Sequence, residues 1–124
     1  MAAPNIVNVT TITGKTTYVT PGTTSATTLL SNAASSGKVF KINQIVAANV
    51  DGTSAVDTTV TLNSAAAGGG TAYPIVSTVS VPADASLIVV DKTTAIYLEE
   101  DKSIVVTSGA SSAITYTISY EEIS

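Results

Sequence analysis

The chain has 124 residues and a mass of 12.4 kDa, room for one domain with its own core and too little for two. It contains no Cys, His, Trp or Arg, the types that supply most nucleophiles, near-neutral bases, transition-metal ligands and bidentate phosphate clamps. The net charge is −4 and, apart from Lys38 and Lys41, the lysines at 15, 38, 41, 92 and 102 are scattered, so neither nucleic acid nor an anionic membrane is an expected partner.

The apolar residues are mostly Val, Ile and Ala, and Thr and Ser fill much of the remainder. β-Branched residues lose χ1 freedom in a helix and sit well on a pleated surface, so composition favours strands. Without Cys there is neither a disulfide nor a thiolate metal site.

In chain order, Met1 to Asn5 shows neither a basic n-region nor an apolar h-region, so no secretory signal is expected there. Residues 1–5 read as an N-terminal arm, and residues 6–124 as a single β domain. Asn8-Val9-Thr10 matches the glycosylation sequon, which a Thr-rich chain produces by coincidence. Asn5 to Thr13 and Thr16 to Thr20 are strand candidates with Gly14-Lys15 as the break between them. Thr27 to Leu30 adds another, followed by a low-complexity connector from Ser31 to Gly37.

Lys38 to Ala48 is the longest β-compatible stretch. Asp51-Gly52 then signals a hairpin, closed by a broad loop, into Thr58 to Leu62. Asn63 to Gly70 reads as a mobile loop, because the Gly run opposes a helical turn at the Ala triplet. Pro82 marks a turn or strand start. Ser86 to Val90 is a continuous apolar run, which predicts burial on both faces or a covering partner. Ile96-Tyr97-Leu98 is a short strand ended by the acidic turn Glu99-Glu100-Asp101.

Ile114 to Tyr120 alternates apolar and hydroxyl residues with strict period two, putting Ile114, Tyr116, Ile118 and Tyr120 on one face. With Ser103 to Thr107 it reads as a C-terminal hairpin. No helical stripe persists. About eight to ten strands are too many for one open sheet in a small domain, so the expected fold is all-β, a two-sheet β-sandwich or jelly-roll-like single domain.

Three constellations could carry chemistry, and each has a simpler reading. Glu99, Glu100, Asp101, Glu121 and Glu122 could pair as in a glycosidase, but adjacent acids usually form a solvated turn or a charged strand. Asn49, Asp51, Thr53 and Asp57 surround Gly52 as in a Ca²⁺ loop, yet no terminal Glu falls at the right offset. Gly68-Gly69-Gly70 lacks the lysine and helix start of a phosphate-binding loop. No catalytic residue, metal site or cofactor is therefore expected. Tyr97 points away from the face of Ile96 and Leu98, which makes it the candidate protein-interface residue, with packing under a loop as the alternative reading.

Several segments resemble small virion structural proteins of tailed bacteriophages, especially those of marine cyanobacteria. They are Pro4 to Lys15, Ser36 to Asn43, Ala48 to Thr53, Tyr97 to Ile104 and the closing Ser119-Tyr120-Glu121-Glu122-Ile123-Ser124. These are turn and strand-edge signatures spread over most of the chain. The segment from Ala65 to Gly70 is less typical. The resemblance implies a non-enzymatic virion component and carries over no functional residue.

The function expected from these readings is a capsid decoration (cement) protein on the outer surface of the head. Its partner would be the major capsid protein or another virion protein, and it would form a homo-oligomer. An acidic subunit lining packaged DNA would be repelled by it, which favours the outer position. The alternatives are a neck, tail or fibre-associated virion protein, a carbohydrate-binding module for host attachment and, last, a carboxylate-dependent hydrolase.

Overall fold

A computed structural model describes Val7 and residues 9–124. The arm at residues 1–5, and the portion of the first strand candidate at 5, 6 and 8, lie outside the described residues. Among the described residues nine strands form: β1 (Ile12–Val19), β2 (Thr27–Asn32), β3 (Val39–Asn49), β4 (Val56–Asn63), β5 (Ala72–Val81), β6 (Ser86–Val90), β7 (Ile96–Leu98), β8 (Lys102–Ser108) and β9 (Ile114–Ile123). Among the described residues, helix is confined to 3-10 turns at Ala66–Gly68 and Lys92–Thr94.

All strand pairs are antiparallel, and the main ones are nested. Ile12 lies opposite Ile123, Thr28 opposite Val105, Phe40 opposite Leu98, Ile45 opposite Val90, Val56 opposite Val81 and Asn63 opposite Ala72. The chain is thus one long antiparallel ribbon doubled back at the connector between β4 and β5. The ribbon then wraps, so that β9 also pairs with β3 and β8 also pairs with β4. Two sheets result, β1-β9-β3-β6 with β7 also on β3, and β2-β8-β4-β5. With β6 and β7 taken as one broken strand, this is the order of an eight-stranded jelly roll. The expected all-β two-sheet sandwich is what forms.

The inner faces meet in one core. Ile42, Ile45, Ala47, Ile114, Tyr116 and Ile118 from the first sheet pack with Val60, Ile104 and Val106 from the second. Phe40 and Tyr120 extend it, their ring centroids 5.1 Å apart in a tilted arrangement. The period-two face expected from Ile114 to Tyr120 points inward: Ile114, Tyr116 and Ile118 are fully buried and Tyr120 packs against the core.

Several local expectations are corrected. The segments 103–107 and 114–120 do not form a hairpin, because β8 and β9 lie in different sheets. Their connection crosses the sandwich edge, held by the Gly109 N–H on the Asp57 carbonyl and the Ser112 N–H on the Pro21 carbonyl. Alternation assigned the face of each strand but carried no information on its partner. Asp51-Gly52 likewise joins the two sheets rather than a hairpin. There the Asp51 carboxylate accepts from the Thr53 N–H and hydroxyl and the Ser54 N–H, so it closes its own turn.

Gly14 does not interrupt β1; it sits opposite Glu121 within a continuous strand. The apolar run at β6 is an edge strand whose Ile88 is 59% exposed, not a doubly buried one. Ser31 and Asn32 belong to β2, not to a connector, and the strand at Ala72–Val81 had no clear sequence signal.

The segment from Asn63 to Gly70 is anchored instead of loose. It folds over the outer face of the second sheet, onto the row Ser31, Ser103, Asn63. The N–H groups of Ala66, Ala67 and Gly68 donate to Asp101 Oδ1, Ser31 Oγ and Ser103 Oγ. Ser103 Oγ donates to the Ala65 carbonyl and Asn63 Nδ2 to the Gly68 carbonyl. This cover explains why Ser103, Asn63 and Thr61 are buried although they face away from the core. Gly68 and Gly70 take positive φ there, and a Cβ on Gly70 would collide with Ser64 Oγ.

Candidate interaction surface

The two outer faces are unequal. The second sheet is partly covered by its own connector, whereas the first exposes a patterned surface. Tyr18 lies opposite Thr117, Thr117 opposite Val46, and Val46 opposite Ile88. Because Tyr116 and Ile118 point into the core, this row points out. A parallel row runs Gly14, Glu121, Lys41, Tyr97. Between them lie Thr16, Ser119 and Gln44, with Asn43 bulged out of register.

Tyr97 therefore stands where the alternation of β7 places it, 47% exposed while Leu98 is fully buried. Sequence reasoning singled out Tyr97 and missed its companions. Tyr18 is 74% exposed, and Ile12 at the start of the same strand is 55% exposed. The signal was the shared parity of Ile12, Gly14, Thr16 and Tyr18, but it becomes a face only once the register to β9 is known. Tyr73 is exposed on the other sheet, Tyr116 is fully buried and Tyr120 is partly buried against the core.

The charges on this sheet are paired. Glu122 accepts from Lys15 at 2.8 Å and Lys38 at 2.9 Å, joining β1, β9 and the entry to β3. The hydrogen bond from Lys15, then that from Lys38, holds the Glu122 carboxyl below the usual range, and the Lys15 ammonium is raised in turn. On the outer face Lys41 lies 4.0 Å from Glu121, whose carboxylate also accepts from Asn43 Nδ2. Glu99 lies 3.8 Å from Lys102, and Asp101 accepts from the Ala66 N–H. Glu100 Oε1 is shielded and has no hydrogen-bond partner among the described residues.

The remaining candidates are engaged elsewhere. Asn49 is buried, and its amide donates to the Val81 and Ser54 carbonyls at 2.9 Å each. Hydrogen bonds from Thr53 hold the Asp51 carboxyl low. Among the described residues no group of acids could hold a metal ion and no pocket is present. The Gly68 and Gly69 N–H groups are taken by Ser103 Oγ and the Ala66 carbonyl, so they form no phosphate cradle. Among the described residues no helix is long and apolar enough to cross a membrane.

The fold and surface together define a two-sheet antiparallel sandwich with one patterned outer face. No protein-family model matches the sequence, and no curated protein matches it.

Proposed function

We propose that this chain is a non-enzymatic structural subunit of a bacteriophage particle, a capsid decoration protein seated on the outer surface of the head. The observation that carries the reading is the outer face of the first sheet, where Tyr18, Ile88 and Tyr97 stand exposed among hydroxyls and a Lys41–Glu121 pair. Aromatic anchors in a polar surround are the composition of protein interfaces. The jelly-roll strand order supports the reading by analogy, since viral capsid domains use it repeatedly, though lectin domains do as well. The resemblance of the opening and closing segments to small phage structural proteins points the same way. The partner is the major capsid protein, and many repeated modest contacts across a lattice supply avidity.

The test is to add purified protein to particles that lack it and to follow DNA release on heating. A head cement raises the release temperature. An unchanged release temperature with label only at the tail favours a neck, tail or fibre component. No binding to particles, together with retention on a glycan array, favours the carbohydrate-binding module.

A further inference from the structure

We infer that the chain forms a two-fold dimer through its β1 edge, with β1 of one copy pairing antiparallel to β1 of the other in a register centred on Thr16. The sheet ends on β1, whose described strand partner is β9 alone. Thr11 and Ser124 exchange both backbone hydrogen bonds, each at 3.0 Å. The β1–β9 register then runs without a shift from Ile12 to Val19. Antiparallel alternation therefore turns the peptide groups of the odd-numbered residues toward β9. Those of Ile12, Gly14, Thr16 and Tyr18 point away from β9, along an edge that carries no other strand among the described residues.

The other edges are blunted. β2 has a register shift at Leu29, and β6 has one beside Ile45 and Val46. β5 carries Pro74, register shifts opposite Val60 and a positive φ at Thr78. β7 is three residues long. Bulges, Pro and short length are the usual protections against strand addition. β1 is eight residues long and has none of these, only Lys15.

Lys15 decides between the two registers nearest the middle of β1, centred on Lys15 or on Thr16. Only registers that pair outward-pointing residues with each other keep the outer faces continuous. Centring on Lys15 would set two ammonium groups directly opposite, which is unfavourable. Centring on Thr16 places Lys15 opposite Thr17 of the second copy and Thr16 opposite itself. It also sets each Tyr18 opposite Gly14 of the other copy. An added Cβ at Gly14 would meet nothing within 4 Å, so the space a ring needs is open. An aromatic laid over a glycine across a strand pair compensates the missing side chain. The two first sheets would become one continuous sheet with a single outer face. The dimer concerns the free protein, so it stands or falls separately from the assignment to a virion.

The test uses the full chain in sedimentation velocity, with single-cysteine cross-linking made clean by the absence of native Cys. The wild type should sediment at twice 12.4 kDa. Thr16→Lys, at an exposed position, should sediment as a monomer while keeping the wild-type circular dichroism spectrum and melting temperature. Thr16→Cys should oxidise to a covalent dimer, since facing residues lie about 5.5 Å apart, within disulfide reach. Lys15→Cys should not. A wild type that stays monomeric at all concentrations, or a Thr16→Lys variant as dimeric as the wild type, overturns the edge. Cross-linking by Lys15→Cys in place of Thr16→Cys overturns the register.

Discussion

The hydroxyl of Tyr116 meets the hydroxyl of Thr58 across the interior of the sandwich. Tyr116 belongs to β9 and Thr58 to β4, so the contact joins the two sheets. The Tyr116 hydroxyl donates its proton to the Thr107 carbonyl at 3.0 Å, which leaves Thr58 as donor to the phenolic oxygen. Burial raises the Tyr116 hydroxyl above its ordinary acidity range, so it stays a neutral donor. Removing that hydroxyl takes the acceptor from the buried Thr58 hydroxyl and one donor from the Thr107 carbonyl. Tyr116→Phe should cost about 1–3 kcal/mol in urea denaturation. Adding Thr58→Val should cost less than the sum of the two single changes, and a double-mutant cycle measures the coupling.

Asn49 closes one end of the fold, binding the Ser54 and Val81 carbonyls through Nδ2 and the Asp51 N–H through Oδ1. Asn49→Leu fills similar volume but satisfies none of these. It should destabilise by about 1–3 kcal/mol and lower the melting temperature by several degrees. Asn32 holds the Lys38 and Leu98 carbonyls in the same way, so Asn32→Leu should behave alike. Calorimetry on both variants is the check.

Ser103 is the buried anchor of the β4–β5 connector, accepting from the Gly68 N–H and donating to the Ala65 carbonyl. Ser103→Ala should release that segment before the rest unfolds. Amide hydrogen exchange at Gly68 should accelerate well beyond that of core amides such as Val60. Equal acceleration at both would show only a global loss of stability.

Acid should weaken the join between β1, β9 and β3. The Glu122 carboxyl is held below its ordinary value of 4.5, so its contribution is present above that value and is lost as pH falls through the lower folded value. Lys15 is raised above 10.5, so its contribution is present below that value and fades as pH rises through the folded one. Glu122→Gln should flatten the acid limb of a plot of melting temperature against pH and leave the neutral plateau lower. An unchanged acid limb would show that other carboxylates control it.

Composition and period-two patterning carried the fold class, because Val, Ile and Thr on alternate positions have few ways to be buried. The strict alternation at Ile114 to Tyr120 even named the core face. Partners were less legible. Asp51-Gly52 and the loop after Ser108 look like hairpin turns locally, yet a ribbon that wraps sends both across to the other sheet. The anchored connector was invisible for a related reason: its fixing groups, Ser31, Asp101 and Ser103, come from distant strands. Tyr97 could be read as outward from its two neighbours alone. Tyr18 and Ile88 could not, since their shared face depends on the register through β9 and β3.

The most direct measurement is cryo-electron microscopy of purified phage particles at a resolution that distinguishes the two sheets. Density for this subunit is expected on the outer head, with Tyr18, Ile88 and Tyr97 turned toward a neighbouring virion protein. Density only at the neck or tail would contradict the head position. A subunit seated on the head with the second sheet inward and Tyr97 in solvent would contradict the assigned surface.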